Sequence, residues 1–169
     1  MLFSPLDATR IYPFGHGISY TTFELDWSPA QPPQQPPHAV VRGAGDATTY
    51  SVVVKNTGAT YAADEVVLAF MKPKASTIPS LASTGTPVVI KQLFAFEKVH
   101  LAAGASANLT FAVPSDTFGL VDNDGHTSLH PGEYEIVFSR GCVGCNELVV
   151  GTTIAADAPI RLKTFRKWW

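Results

Sequence analysis

Phe23, Leu25 and Trp27 alternate with Thr22, Glu24 and Asp26, the period-2 pattern of a strand with one buried face. A first strand is therefore expected within residues 19–27. The alternation returns with Tyr50, Val52 and Val54 over residues 48–56, and with Val66, Leu68 and Phe70 over 64–72. It returns again with Leu109, Phe111 and Val113 over 106–113, and with Tyr134, Ile136 and Phe138 after the turn His130-Pro131-Gly132. Residues 90–101 are β-like too, but their phase slips between Leu93 and Phe94, which predicts a bulge or a change of sheet. Leu120-Val121 reads as a short strand before the turn signal Asp122-Asn123-Asp124-Gly125, and residues 147–154 as the last strand. Seven or eight short strands, with turn residues between them and no helical period, predict an all-β immunoglobulin or fibronectin type III-like sandwich of antiparallel strands.

The connections divide the chain. Residues 1–17 carry Pro5, Pro13, Gly15 and Gly17, which forbid a sustained element, so order there must come from docking. Residues 28–38 hold Pro29, Pro32, Pro33, Pro36 and Pro37. They read as an extended loop inside one domain, because the strand before them is too short to be stable alone. Residues 73–88 are expected as a second long, polar loop. Residues 155–169 are weakly patterned and end in a basic, aromatic cluster of Arg161, Lys163, Phe165, Arg166, Lys167, Trp168 and Trp169. The expected plan is a docking segment 1–17, a sandwich 18–154 and a tail 155–169.

Composition narrows the function classes. With 169 residues, 46% hydrophobic, 15% charged and a formal net charge of −2, the chain is expected to pack one core, with no nucleic acid as partner. No apolar run approaches the about 20 residues of a membrane-spanning helix. Met1-Leu2-Phe3-Ser4-Pro5 lacks the features of a signal peptide, which leaves the location of the chain itself unassigned.

Candidate chemistry is sparse. Asp122, Asp124 and His126 are oxygen and nitrogen donors near one turn, yet Asp, Asn and Gly are ordinary turn formers. The histidines show no zinc spacing, and neither metal nor cofactor is expected. Cys142-Val143-Gly144-Cys145 admits a local disulfide, which is the preferred reading, free thiols, or metal or redox chemistry. A strand precedes it, rather than the helix N-terminus that usually lowers a thiol pKa in such motifs. Asn108-Leu109-Thr110 is a glycosylation sequon inside a predicted strand.

The most specific string is Tyr12-Pro13-Phe14-Gly15-His16-Gly17-Ile18-Ser19-Tyr20-Thr21-Thr22-Phe23. It resembles the segment that opens the C-terminal fibronectin type III-like domain of glycoside hydrolase family 3 enzymes, the β-glucosidases and β-xylosidases. Val52-Val53-Val54-Lys55-Asn56-Thr57-Gly58, Asp64-Glu65-Val66-Val67, the run from Lys91 to Gly104 and Pro131-Gly132-Glu133-Tyr134-Glu135 follow in the order of that family. Phe96-Glu97-Lys98-Val99-His100-Leu101 and Leu120-Val121-Asp122 lean toward the β-xylosidase branch.

The resemblance implies a non-catalytic accessory domain that stabilises catalytic domains in the same or a separate chain. The parent would be extracellular and would hydrolyse β-O-glycosidic bonds of xylan or glucan oligosaccharides. Tyr12, Pro13, Phe14, Gly15, His16, Gly17, Ser19 and Tyr20 would be the docking motif. The family's nucleophilic Asp stands in a Ser-Asp-Trp string in an earlier barrel domain. Asp26-Trp27 follows Leu25 rather than Ser, so no catalytic residue is assigned here. Two other readings stay open: carbohydrate binding through Trp27, Trp168 and Trp169, and protein interaction through the proline-rich residues 29–37.

Overall fold

The computed structural model describes residues 19–29, 39–41, 43, 45–79, 88–122, 125–142 and 144–162. In chain order the strands are β1 (Phe23–Trp27), β2 (Ala39–Val41), β3 (Ala47–Asn56), β4 (Ala63–Pro73), β5 (Gln92–Leu101) and β6 (Ser106–Pro114). They continue as β7 (Gly119–Val121), β8 (Thr127–Leu129), β9 (Gly132–Ser139), β10 (Leu148–Ile154) and β11 (Ile160–Arg161). One sheet has the order β1-β3-β6, and the sheet facing it has the order β2-β10-β9-β4-β5. A small third sheet, β11-β8-β7, closes one end. Every pairing is antiparallel except β2 with β10.

Alternation places the core between the two large sheets. Leu25, Val52, Val54 and Phe111 come from one side, and Val67, Met71, Ile136, Phe138 and Val150 from the other, all buried. The Phe138 ring is the hub, with the centroids of Phe111, Trp27 and Tyr50 at 5.1, 5.8 and 6.0 Å. At the end closed by β7, β8 and β11, Tyr134 packs edge-on against Phe118 at 5.5 Å. Its hydroxyl donates to the His130 carbonyl at 2.8 Å. This is the tyrosine corner of Greek-key sandwiches, a bond from the start of one strand back across the preceding turn.

Several strands differ from the sequence expectation. The expected face of β4 was Val66, Leu68 and Phe70, but Val67, Ala69 and Met71 point into the core. Residues 66–71 are apolar without interruption, so alternation cannot choose a face, and register decides. Val99 aside, the phase slip in β5 is a bulge: Ala69 pairs with Ala95 and Phe70 with Leu93, leaving Phe94 as the extra residue. The loop expected as polar over 73–88 contains a 3-10 turn, Ala75–Thr77, that delivers Ile78 fully buried into the core. Gly132 lies against that turn at φ 151°, and a Cβ there would meet the Thr77 carbonyl oxygen at 2.6 Å. Three strands were not anticipated: β2, β8 and β11 are two or three residues long, too short to display a period. Through β11, Ile160 and Arg161 pair with β8, and the adjacent Leu162 joins the core.

Candidate functional site

The outward face of the five-stranded sheet is built in rows by the ladder. Leu93, Phe70, Val137 and Val149 stand side by side on β5, β4, β9 and β10. The next row holds Phe96, Leu68 and Ser139. An antiparallel sheet with one face toward water usually carries polar side chains there. Here Phe96 is 63% exposed, Leu93 48% and Val149 44%, and Ile90, just before β5, is 62% exposed. The Lys91 ammonium sits 4.3 Å from the Phe70 ring centroid. Among the described residues β5 pairs only with β4, which leaves its other edge open.

Charge bounds this belt at both ends. On one side Lys72 meets Glu135 at 3.0 Å and Lys74 meets Glu133 at 3.1 Å. On the other, Asp64 receives Lys98 and His100 Nδ1, each at 2.6 Å. The hydrogen bond from Lys98, and then that from His100, hold the Asp64 carboxyl below the usual carboxylate range. An apolar stripe with a polar rim has the anatomy of a protein-contact surface.

A second exposed feature lies where the described chain begins. Tyr20 and Tyr61 have ring centroids 6.1 Å apart with planes inclined by 57°. Both are exposed, and the tilt denies a sugar a common stacking plane. Tyr61 is held by Asn56, whose Nδ2 donates to the Tyr61 carbonyl at 2.9 Å and to that of Leu101 at 3.1 Å.

The residues singled out from sequence fall as follows. Tyr12, Pro13, Phe14, Gly15, His16 and Gly17 lie outside the described residues, while Ser19 and Tyr20 are exposed. Residues 30–38, Asp124, Trp168 and Trp169 also lie outside them. Cys142 and Cys145 form a disulfide. Asn108 is exposed on β6, where its Oδ1 accepts from Ser28 Oγ at 3.1 Å. Trp27 is not the free sugar platform considered above, since its half-buried ring stands edge-on to Phe138. Asp26 is exposed and accepts from the Trp27 amide at 2.7 Å. Asp122 Oδ1 accepts from the His126 amide at 2.8 Å. Among the described residues no three His, Cys, Asp or Glu converge as metal ligands.

Sequence reasoning missed the belt by assigning Val66, Leu68 and Phe70 to the core. The signal was the unbroken apolar run itself, which marks a strand covered on both faces.

Two facing sheets, a tyrosine corner and an apolar outer face define an immunoglobulin-like sandwich module. Residues 65–140 match the fibronectin type III-like domain family, and the chain carries such a domain, homologous to the C-terminal region of family 3 β-glucosidases. The probable β-glucosidase J of Neosartorya fischeri is 34% identical over 161 residues, 94% of this chain but 16% of that protein. A β-xylosidase of Formosa agariphila is 30% identical over 130 residues, covering 77% of this chain and 16% of its own. The crystal structure of a β-glucosidase from Kluyveromyces marxianus in complex with glucose superposes with a TM-score of 0.65 at 26% identity, over 89% of this chain and 16% of that one. The chain thus spans about a sixth of the length of these relatives.

Proposed function

We propose that this chain is a non-catalytic accessory domain of a family 3 glycoside hydrolase, and that it docks on the catalytic part of the enzyme through the apolar belt. The single observation that carries the reading is the exposed set Leu93, Phe96 and Val149 on the outward face of the five-stranded sheet, joined across the ladder by half-buried Phe70 and Leu68 and by Val137, which is already buried. Covering such side chains is favourable by about 25 cal/mol per Å² of apolar area, and a domain that is a sixth of its relatives has a larger body to cover it.

The parent reaction in this proposal is hydrolysis of a β-O-glycosidic bond. The relatives are mostly β-glucosidases with one β-xylosidase, so they weigh toward a glucoside over the lean toward xylosides read from residues 96–101 and 120–122. An extracellular parent agrees with the Cys142–Cys145 disulfide and with the exposed sequon at Asn108.

The test is a chimera in which this chain replaces the matching region of the Kluyveromyces marxianus β-glucosidase. The expected result is a soluble, active enzyme that is lost when Phe96 and Leu93 are both changed to Asp. Equal activity of the two chimeras sinks the docking face. Turnover of aryl β-glucosides or β-xylosides by the purified chain alone sinks the accessory reading.

A further inference from the structure

Arg140 leaves the end of β9 with its guanidinium between two acceptors. Nη2 donates to Cys145 Sγ at 2.9 Å, and Nη1 donates to a Glu65 carboxylate oxygen at 3.2 Å. The ion pair is largely sheltered, with side-chain exposures of 12% and 17%. The disulfide spans a sequence separation of only three residues, flanked and interrupted by Gly141 and Gly144 at left-handed φ of 73° and 75°. Both sulfurs belong to the connection between β9 and β10, so the bond joins no two strands. Closing so short a loop restricts the unfolded chain much less than a long-range staple. As a device for stability it is weak, and its chemical surroundings are specific.

We propose that Cys142–Cys145 is a thiol–disulfide exchange site for a dithiol reductant, with Cys145 as the leaving sulfur and Arg140 as the group that stabilises it. A thiolate of the dithiol attacks Cys142 Sγ, whose residue is exposed while Cys145 is half-buried. The S–S bond breaks and its electron pair leaves on Cys145 Sγ, where the Arg140 N–H is already aimed. The second sulfur of the dithiol, once deprotonated, attacks its partner sulfur in the mixed disulfide and expels Cys142, which takes up a proton. The dithiol is oxidised to a disulfide by two electrons. Cys142 ends as a thiol and Cys145 as a thiolate, with one proton released to solvent.

A neighbouring cation lowers a thiol pKa, and a leaving thiol of lower pKa departs faster. Redox motifs usually draw that positive charge from a helix N-terminus; here a guanidinium supplies it after a strand. Glu65 acts in two opposed ways, since its carboxylate orients Arg140 but also repels the charge that develops on Cys145. The site is independent of the accessory-domain reading.

The test follows reduction of the oxidised full chain by dithiothreitol at pH 7, with alkylation and mass measurement of the reduced fraction over time. Arg140→Gln should slow the reaction about threefold or more, on the dependence of exchange rates on leaving-group pKa. Glu65→Gln should accelerate it. Both changes break the same ion pair, so a purely structural role moves the two rates in one direction. Rates that shift together, or not at all, overturn the proposal, as does failure of the two cysteines to pair under air or glutathione disulfide. Arg140→Lys keeps the cation and should react closer to wild type than Arg140→Gln, which guards against a folding defect in the Gln variant.

Discussion

Thr21 donates its hydroxyl to the Asn56 side-chain oxygen at 2.5 Å, across 35 residues of sequence. Asn56 ends β3 and is fully buried. The same oxygen accepts the Gly58 amide at 3.1 Å, and the amide nitrogen serves the Tyr61 and Leu101 carbonyls. One side chain thus ties the approach to β1, the turn after β3 and the end of β5. A buried polar group satisfied in this way is costly to remove, because its partners stay behind without bonds.

Asn56→Ala should therefore destabilise the chain by about 2–3 kcal/mol, the range for unsatisfied buried groups, as read from urea unfolding. Gly58→Ala should be destabilising as well, since a Cβ there meets the Thr21 hydroxyl. A loss under about 0.5 kcal/mol for Asn56→Ala, the scale of an ordinary surface change, would remove Asn56 from this role.

His130 provides a pH dependence of definite sign. It is buried in the turn ahead of β9, and burial pushes its pKa below the ordinary 6.5, with the Asp122 charge opposing in part. Between the folded and unfolded values the unfolded chain binds the extra proton, so stability falls as the pH drops. The contribution should be fully present above pH 6.5 and decline below it until the folded pKa is passed. Thermal melts of wild type and His130→Gln from pH 7.5 down to pH 5 should diverge in steepness, the wild type losing more. Parallel curves would rule out the linkage. Asp64, with its lowered carboxyl pKa, acts in a separate and more acidic window.

Two phenylalanines on opposite faces of one sheet should behave differently. Phe138→Ala empties the centre of the aromatic cluster and should cost about 3–5 kcal/mol. Phe96→Asp lies on the exposed belt and should change the stability of the isolated chain, read from urea unfolding, by no more than about 0.5 kcal/mol. A large stability loss from Phe96→Asp would mean that the belt is covered within this chain.

Much of the sandwich was legible because alternation is a local property. β1 and β6 carry apolar residues at every second position and polar or small ones between, and β3 and β9 depart from this only at Val53 and Val137, so each strand announces both its existence and its inner face. β4 announced its existence only, since Val66 to Met71 is apolar at each step. Ile78 was hidden in a polar stretch, because a single anchor has no period. Arg140 and Glu65 are 75 residues apart, and no local signal links them to Cys145.

The sequence by itself determined that strands form, roughly where they turn, and which side chains of the regular strands face inward. These follow from the two-residue repeat of extended backbone and from the angles that Gly, Pro, Asn and Asp permit. Tertiary structure alone decided which face of β4 is buried, that its other face joins β5, β9 and β10 in an apolar belt, and that a guanidinium reaches the disulfide. Those outcomes depend on register and on contacts between residues far apart in the chain, and a one-residue slip of a strand would reverse them.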